Sequence, residues 1–561
     1  MKSRLVLLLG RIKVNESVLV FFVFLFFLAL NALIYFTIAN VSSPDDQWFY
    51  TKIAYLLRTE GWSAITNFQG AYFTELSQSG YGYGVGLYHY VLMLFTLFSN
   101  KILGLKLSGL FFATLVPTIS FWVLRRLKIK NALIWVVAFF YVFGSFNFTM
   151  RLFLNRPFVF IDALMLLEIY LISKKKYWAL FFVSLIHAWW HPASFWLPGM
   201  LAVCFELARI LYQKKIAYQN IIFAILGSLG AFLLFPAHSH TFLSPLNPLV
   251  FGKKLFSFIY GLISGPKIIE GSENFKGDIF LMLAQNNIVF ACLIFFIALN
   301  IFFYLYRHNN VKDLDDNENR AIFRVYVFLV TVVMFLGFVF SRRFEDLLIP
   351  LAMLGSAVSF CTLSENGYVL VNNESVRKIF FSTLLLFLLI AGGARILDLR
   401  ITFGNDMSYL KYEKVGNWFR DNTQKGEIIF NTDFGQFNRL FFFDSDNRYI
   451  VGIEPKNMYE YSPRLYWLWQ NISLYGVVQD TDNQEKNLAQ DILEGKSDKE
   501  VEEIMLENSK IIATTIKDNF QSKYLFFDAD TFLKKEVAKN TTDYELVYED
   551  KDGGVFVYRI N

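Results

Sequence analysis

Through the first 400 residues, apolar runs of roughly bilayer length recur, and the short polar stretches between them carry clustered Lys and Arg. A hydrocarbon core about 30 Å thick is crossed by a helix of about 20 apolar residues. Inside it every backbone N–H and C=O must be satisfied within the chain, so such a repeat folds as membrane-spanning helices. Residues 18–39, 104–124, 131–149, 157–172, 177–191, 193–212, 219–236, 288–306, 321–340, 346–363 and 378–397 read as spans, eleven in all. With 55% hydrophobic residues and 63 Phe in 561, the composition agrees. The predicted fold class is a polytopic α-helical membrane protein with a carboxy-terminal extracytoplasmic α/β domain.

Charge sets the orientation. The amino terminus (Lys2, Arg4, Arg11, Lys13) and the clusters Arg125–Arg126–Lys128–Lys130, Lys174–Lys175–Lys176, Lys214–Lys215, Arg307–Lys312–Arg320 and Arg377–Lys378 all fall on one side. By the positive-inside rule that side is the cytoplasm. The first span is too long for an ordinary signal peptide and reads as retained. Residues 85–98 are apolar but short, and if they crossed, the Arg125 to Lys130 cluster would lie outside. They read as an interfacial helix anchored by Tyr88, His89 and Tyr90. The expected protein is therefore a multi-pass component of the plasma membrane, with its amino terminus cytoplasmic and its tail extracytoplasmic.

Two domains are expected. Residues 1–400 form the membrane domain, with a first outer loop at 41–103 and a long outer loop at 237–286. Residues 401–561 form a soluble α/β domain, with strands expected at 427–431, 448–451, 510–514, 524–527 and 555–558. Helices are expected at 484–493 and 498–508. Residues 1–399 hold 33 Lys and Arg against 20 Asp and Glu, and residues 400–561 hold 20 against 28. A basic membrane part suits membrane lipids or a phosphate-bearing substrate, and nothing points to nucleic acid. Cys204, Cys292 and Cys361 lie in apolar runs and read as buried hydrophobes, not a disulfide framework.

Asp45 and Asp46 follow the first span directly. Adjacent carboxylates are costly at a membrane exit unless solvated as a helix start or used to accept a proton. On the same expected outer side lie Arg151, Arg156, Asp162, Arg342, Arg343, Glu345 and Asp346, with His89, His187, His191, His238 and His240 on or near that face. Arginine forks suit a phosphate leaving group, although Arg342–Arg343 could instead be interfacial charge pairing Glu345 and Asp346. Arg156 is the expected partner of Asp162. His187 and His191, at i and i+4, could be a metal pair, but with no third ligand evident, hydrogen bonding at the interface is favoured. Glu206 and Arg209 read as a structural ion pair.

These stretches together resemble the GT-C superfamily of membrane glycosyltransferases, in particular its protein O-mannosyltransferase and aminoarabinose transferase branches. Asp45–Asp46–Gln47–Trp48–Phe49–Tyr50 through Gly61 is similar to the acidic pair and amphipathic helix that open the family's first outer loop. Leu105 through Arg125–Arg126 is similar to its second span. Asn417–Trp418 through Asp433–Phe434–Gly435 resembles the start of the soluble domain of oligosaccharyltransferase catalytic subunits. It keeps the Asp–aromatic–Gly of their acceptor-reading motif and lacks its tryptophans.

The resemblance implies sugar transfer from a polyprenyl-phosphate-linked donor to a lipid, glycan or protein acceptor on the outer face. Asp45 would be the base and Asp46 its support or alternate. Arg342 and Arg343, with Arg151 or Arg156, would hold the donor phosphate. His187, His191, His238, His240, Asp162 and Asp433 are further substrate-contacting candidates. No metal ligand set is assigned. The second outer loop offers Asp162 alone where oligosaccharyltransferases carry an acidic pair, which favours a monophosphate donor and weak metal dependence; a divalent cation (Mg or Mn) is the one cofactor to test for. The competing readings are a transporter or flippase for lipid-linked glycans, or a non-catalytic envelope assembly protein. A transporter predicts ionisable residues in mid-span and repeated halves, and neither is read from the sequence.

Overall fold

The computed structural model describes residues 15–37, 46–66, 68–74, 77, 85–129, 134, 137–138, 145–234, 287–309, 318–365, 374–404, 410–452, 454–479 and 495–561. The chain packs as two compact units. One comprises 1–42, 106–234 and 273–406. The other comprises 43–105, 235–272 and 407–561.

Helices stand on ten of the eleven stretches read as spans. The first is α1 (Glu16–Thr37). Two shorter helices follow it, α2 (Gln47–Glu60) and α3 (Leu87–Phe95). Nine residues rise only about 14 Å, so α3 cannot span a bilayer core. The second stretch is α4 (Lys101–Arg126). The third, 131–149, falls mostly outside the described residues, which resume before α5 (Phe146–Phe153). Next come α6 (Pro157–Ser173), α7 (Tyr177–Trp190), α8 (Leu197–Gln213) and α9 (Gln219–Leu234). The long loop at 237–286 lies outside the described residues. It leads to α10 (Asn287–Asn309), α11 (Glu318–Phe340), α12 (Glu345–Glu365) and α13 (Glu374–Gly404).

Among the described residues, Glu16–Phe36, Lys101–Arg126, Pro192–Gln213 and Asn319–Phe340 are long and apolar enough to cross a membrane. Their neighbours expose large apolar side chains, such as Trp178 and Leu233, which lipid would cover. Inside the first unit, polar groups pin the helices together. Asn31 donates to the carbonyl of Ala113 at 3.1 Å, Tyr35 to that of Phe153 at 2.5 Å, and Trp190 to that of Pro157 at 2.8 Å. Where α4 passes Tyr35, a Cβ at Gly109 would stand 2.4 Å from the phenol oxygen, so a glycine is needed there.

The second unit is built on a five-stranded sheet. It uses α14 (Glu413–Asn422), β1 (Ile428–Asn431), α15 (Phe437–Phe443), β2 (Arg448–Tyr449) and α16 (Pro463–Tyr475). Next come α17 (Asp498–Phe520), β3 (Tyr524–Phe527), α18 (Phe532–Lys539), β4 (Tyr544–Asp550) and β5 (Val555–Ile560). The order is β2-β1-β3-β5-β4. The first three strands are parallel, and β5 runs antiparallel to both β3 and β4.

Side chains alternate across this sheet, as the strand period requires. Ile428, Phe430, Leu525 and Phe527 bury against Trp467, Leu468, Ile512, Ile516 and Phe520. Ile429, Phe526 and Val557 bury on the other face, where α2 supplies Phe49 and Ile53. The first loop also extends the sheet edge: Tyr72 N–H donates to the carbonyl of Tyr449, and Tyr449 N–H to that of Gly70, both at 2.8 Å.

Two sequence expectations fail in this unit. Residues 510–514, read as a strand, lie inside α17. Their β-branched run looks like a strand locally, but Ile512, Ile516 and Phe520 recur at helical spacing and are fully buried. Ser497 and Glu500 close a capping box at the start of that helix. The edge strand β4 was not expected, because Glu545, Glu549 and Asp550 break its apolar pattern. The helix expected at 484–493 lies outside the described residues.

Glu536, on α18, is 2% exposed. Asn508 donates to its Oε1 at 3.4 Å, and its Oε2 has no hydrogen-bond partner among the described residues. Burial pushes the carboxyl from 4.5 up to about 8. The folded state therefore binds the proton more tightly than the unfolded state. The associated stability is complete below pH 4.5 and is lost as pH rises through 8. The unfolding free energy of the full-length protein in detergent is expected to fall between pH 5.5 and 8, at a slope of up to ~1.4 kcal/mol per pH unit. Glu536→Gln should flatten this slope, and an unchanged slope would reject the assignment.

Candidate functional site

In the first unit the candidates gather on α5, α6 and the approach to α12. Ser145 caps α5, accepting from Phe148 N–H at 3.2 Å, and the last turn of that helix carries Arg151. Its Nη1 meets Asp346 Oδ2 at 2.6 Å. Asp346 and Glu345 occupy the first turn of α12, where the exposed N–H ends of a helix favour carboxylates. A 3-10 turn, Arg342–Phe344, precedes that helix, and Arg342 Nε donates to Glu345 Oε2 at 3.3 Å. Arg342 thus pairs with Glu345 while Asp346 goes to Arg151, which sequence spacing could not have shown. Arg343 sits in the same turn, and Arg156 stands immediately before the proline that starts α6.

Asp162 is 1% exposed, and among the described residues neither of its carboxylate oxygens has a hydrogen-bond partner. The expected bond from Arg156 is not formed. Asp162 instead feels the charges of Asp346 and Arg151. Cationic forks held in place by carboxylates beside a buried acid are suited to gripping a phosphate.

His187 and His191 turn toward a shared serine. His187 Nε2 and His191 Nδ1 converge on Ser194 Oγ at 3.1 and 3.2 Å, and His187 Nδ1 meets Glu168 Oε1 at 2.9 Å. Among the described residues, no group of three or more His, Cys, Asp or Glu is arranged to hold a metal ion. Glu168 is fully buried at the twelfth of seventeen residues in α6, an ionisable mid-span group that the sequence reading overlooked. Glu206 and Arg209 pair at 3.0 Å as expected, and Glu206 also accepts from Ala217 N–H at 2.9 Å.

In the second unit, Asp46 stands at the start of α2, and its Oδ1 accepts from Asn438 Nδ2 at 3.0 Å. Asn438 lies on α15, which receives α2 through Trp48 against Phe442 (4.9 Å) and Phe49 against Phe441 (5.7 Å). Lys52, one and a half turns further on, donates to the carbonyl of Phe442 at 3.1 Å. Burial, helped by the Lys101 charge, holds the amine of Lys52 down to about 8. Arg439 is 2% exposed, with its guanidinium 5.8 Å from the Trp48 ring centre. The tail therefore supplies a partner to Asp46, something no local sequence signal reports. Asp45, His238 and His240 lie outside the described residues.

Asp433 follows β1 and caps the turn at Phe434–Gln436, accepting from Gly435 N–H at 2.6 Å. Gln436 donates onward to Asp528 Oδ1 at 2.5 Å, and Asp528 stands at the end of β3. Tyr412 and Lys411 also donate to Asp528. Burial and then the Asp528 charge raise the Tyr412 phenol above its ordinary range, which keeps it a donor. The carboxyl ends of neighbouring parallel strands are where open α/β sheets place ligands. Asp528 was missed because only the β1–β3 pairing brings it to Asp433.

No known family's sequence model matches the chain, and no curated protein matches it. Among solved structures, it is similar to the crystal structure of ArnT from Cupriavidus metallidurans bound to undecaprenyl phosphate. The match covers 95% of this chain and 97% of that one, with a TM-score of 0.50 and 12% sequence identity. The likeness is one of fold: the chain has an ArnT-like fold over nearly its whole length, as the motifs led us to expect.

Proposed function

We propose that the protein is an integral-membrane glycosyltransferase that moves a sugar from a polyprenyl-phosphate-linked donor to an acceptor. The observation that carries this reading is the likeness in fold, over nearly the whole of both chains, to a structure holding undecaprenyl phosphate. In this reading Asp45, supported by Asp46, accepts the proton of the acceptor nucleophile as it attacks the sugar carbon. The bond from that carbon to the donor phosphate oxygen breaks, and the phosphate leaves as an anion. Arg342 and Arg343, with Arg151 or Arg156, bind that anion, stabilising the charge that develops on it. The reaction takes place on the outer face, to which 401–561 also belongs.

Purified full-length protein incubated with labelled polyprenyl-phosphate sugars and a lipid extract is expected to release polyprenyl phosphate and label an acceptor. Transbilayer movement of the intact lipid-linked sugar without release would instead establish the transporter reading. The orientation has its own test. Cysteines placed at Ser43, Lys101 and Ser497 should react with an impermeant reagent in intact cells or spheroplasts. A cysteine at Lys128 should not, and labelling there would overturn the order of spans.

A further inference from the structure

Glu168, His187, Ser194 and His191 form a chain of polar contacts to which the proposed reaction assigns nothing. Ser194 Oγ lies 2.8 Å from the carbonyl of His191, 3.1 Å from His187 Nε2 and 3.2 Å from His191 Nδ1. His187 Nδ1 meets Glu168 Oε1 at 2.9 Å, and both of those side chains are wholly buried.

What the chain of contacts does is fix a turn. Ser194 closes the 3-10 turn Pro192–Ser194 between α7 and α8. Trp196 follows, its indole donating to the carbonyl of Ala193 at 3.1 Å. The Trp196 ring packs on Phe344 with centroids 5.9 Å apart. Phe344 is the last residue of the Arg342–Phe344 turn, and its ring closes over Gly337, where a Cβ would come within 2.4 Å of it. Contacts thus run unbroken from a mid-span acid to the turn that carries two candidate phosphate-binding arginines.

We propose that Glu168 and His187 are positioning residues that, through Ser194 and Trp196, hold the Arg342–Arg343 turn ready for the donor phosphate; this rests on the reading of that turn given above. Glu168→Gln presents an amide that can hydrogen-bond Nδ1 and leaves the Nε2 contact in place, so it should preserve the device, whereas Glu168→Ala removes it.

The test is the affinity of full-length protein in nanodiscs for undecaprenyl phosphate, with the unfolding temperature measured in parallel. Glu168→Ala and Ser194→Ala should each weaken binding on the order of tenfold. Glu168→Gln should bind as the wild type does, and Arg342→Ala should bind worst. A Glu168→Gln protein as weak as Glu168→Ala overturns the proposal, as does wild-type affinity in Ser194→Ala, the variant of choice if Glu168→Ala fails to fold. Wild-type protein that does not bind the lipid phosphate overturns the parent reading. Binding that is sensitive to Arg342→Ala but indifferent to Glu168 and Ser194 overturns this inference alone.

Discussion

Asp45→Asn is expected to lower sugar transfer by ~10²–10⁴-fold, the usual value of general-base help, while leaving expression, membrane insertion and donor binding intact. The substitution keeps size and hydrogen-bonding capacity and removes only basicity. Asp46→Asn should cost less. Its neighbour Asn438 donates to Asp46 Oδ1 at 3.0 Å, and the amide oxygen left by that substitution still accepts this bond. Through this bond Asp46 braces α2 against α15, which suits the supporting role proposed for it. Full activity of Asp46→Asn with Asp45→Asn inactive confirms the assignment, and the opposite pattern exchanges the roles. If both single variants and the double variant turn over normally, the acidic pair is not the catalytic base.

Arg151→Ala should be the most destabilising single change among the charged candidates. It strips Asp346, only 3% exposed, of a 2.6 Å ion-pair partner and leaves it near Asp162, which is 1% exposed. Breaking a buried pair from one side costs ~3–5 kcal/mol, because the remaining charge stays desolvated. Adding Asp346→Asn to Arg151→Ala removes that buried charge and should recover much of the unfolding temperature. It should not recover phosphate binding, since the guanidinium is still absent. This double-mutant cycle separates the two contributions of Arg151. Recovery of binding along with stability would confine Arg151 to a structural role.

The division between sequence and structure follows the range of the interactions. Apolar length depends only on neighbouring residues and the solvent, so helices stand on ten of the eleven stretches that hydropathy marked. Strand periodicity likewise placed β1, β3 and β5. Short-range spacing also identified the Glu206–Arg209 pair, three residues apart on one helix.

The sequence could not decide partners across long separations. Arg151 and Asp346 meet over 195 residues, and Asn438 and Asp46 over 392. Neither pairing leaves a trace in local pattern. The same limit misread 510–514, where β-branched residues favoured a strand until burial along α17 outweighed local propensity. It also hid Glu168, which looks like an isolated charge in an apolar run until folding sets His187 beside it. Residue type showed which groups could do chemistry. Tertiary packing decided which of them are buried, which are paired, and therefore which charges cost enough to shape the site, because desolvation depends on what surrounds a group in space.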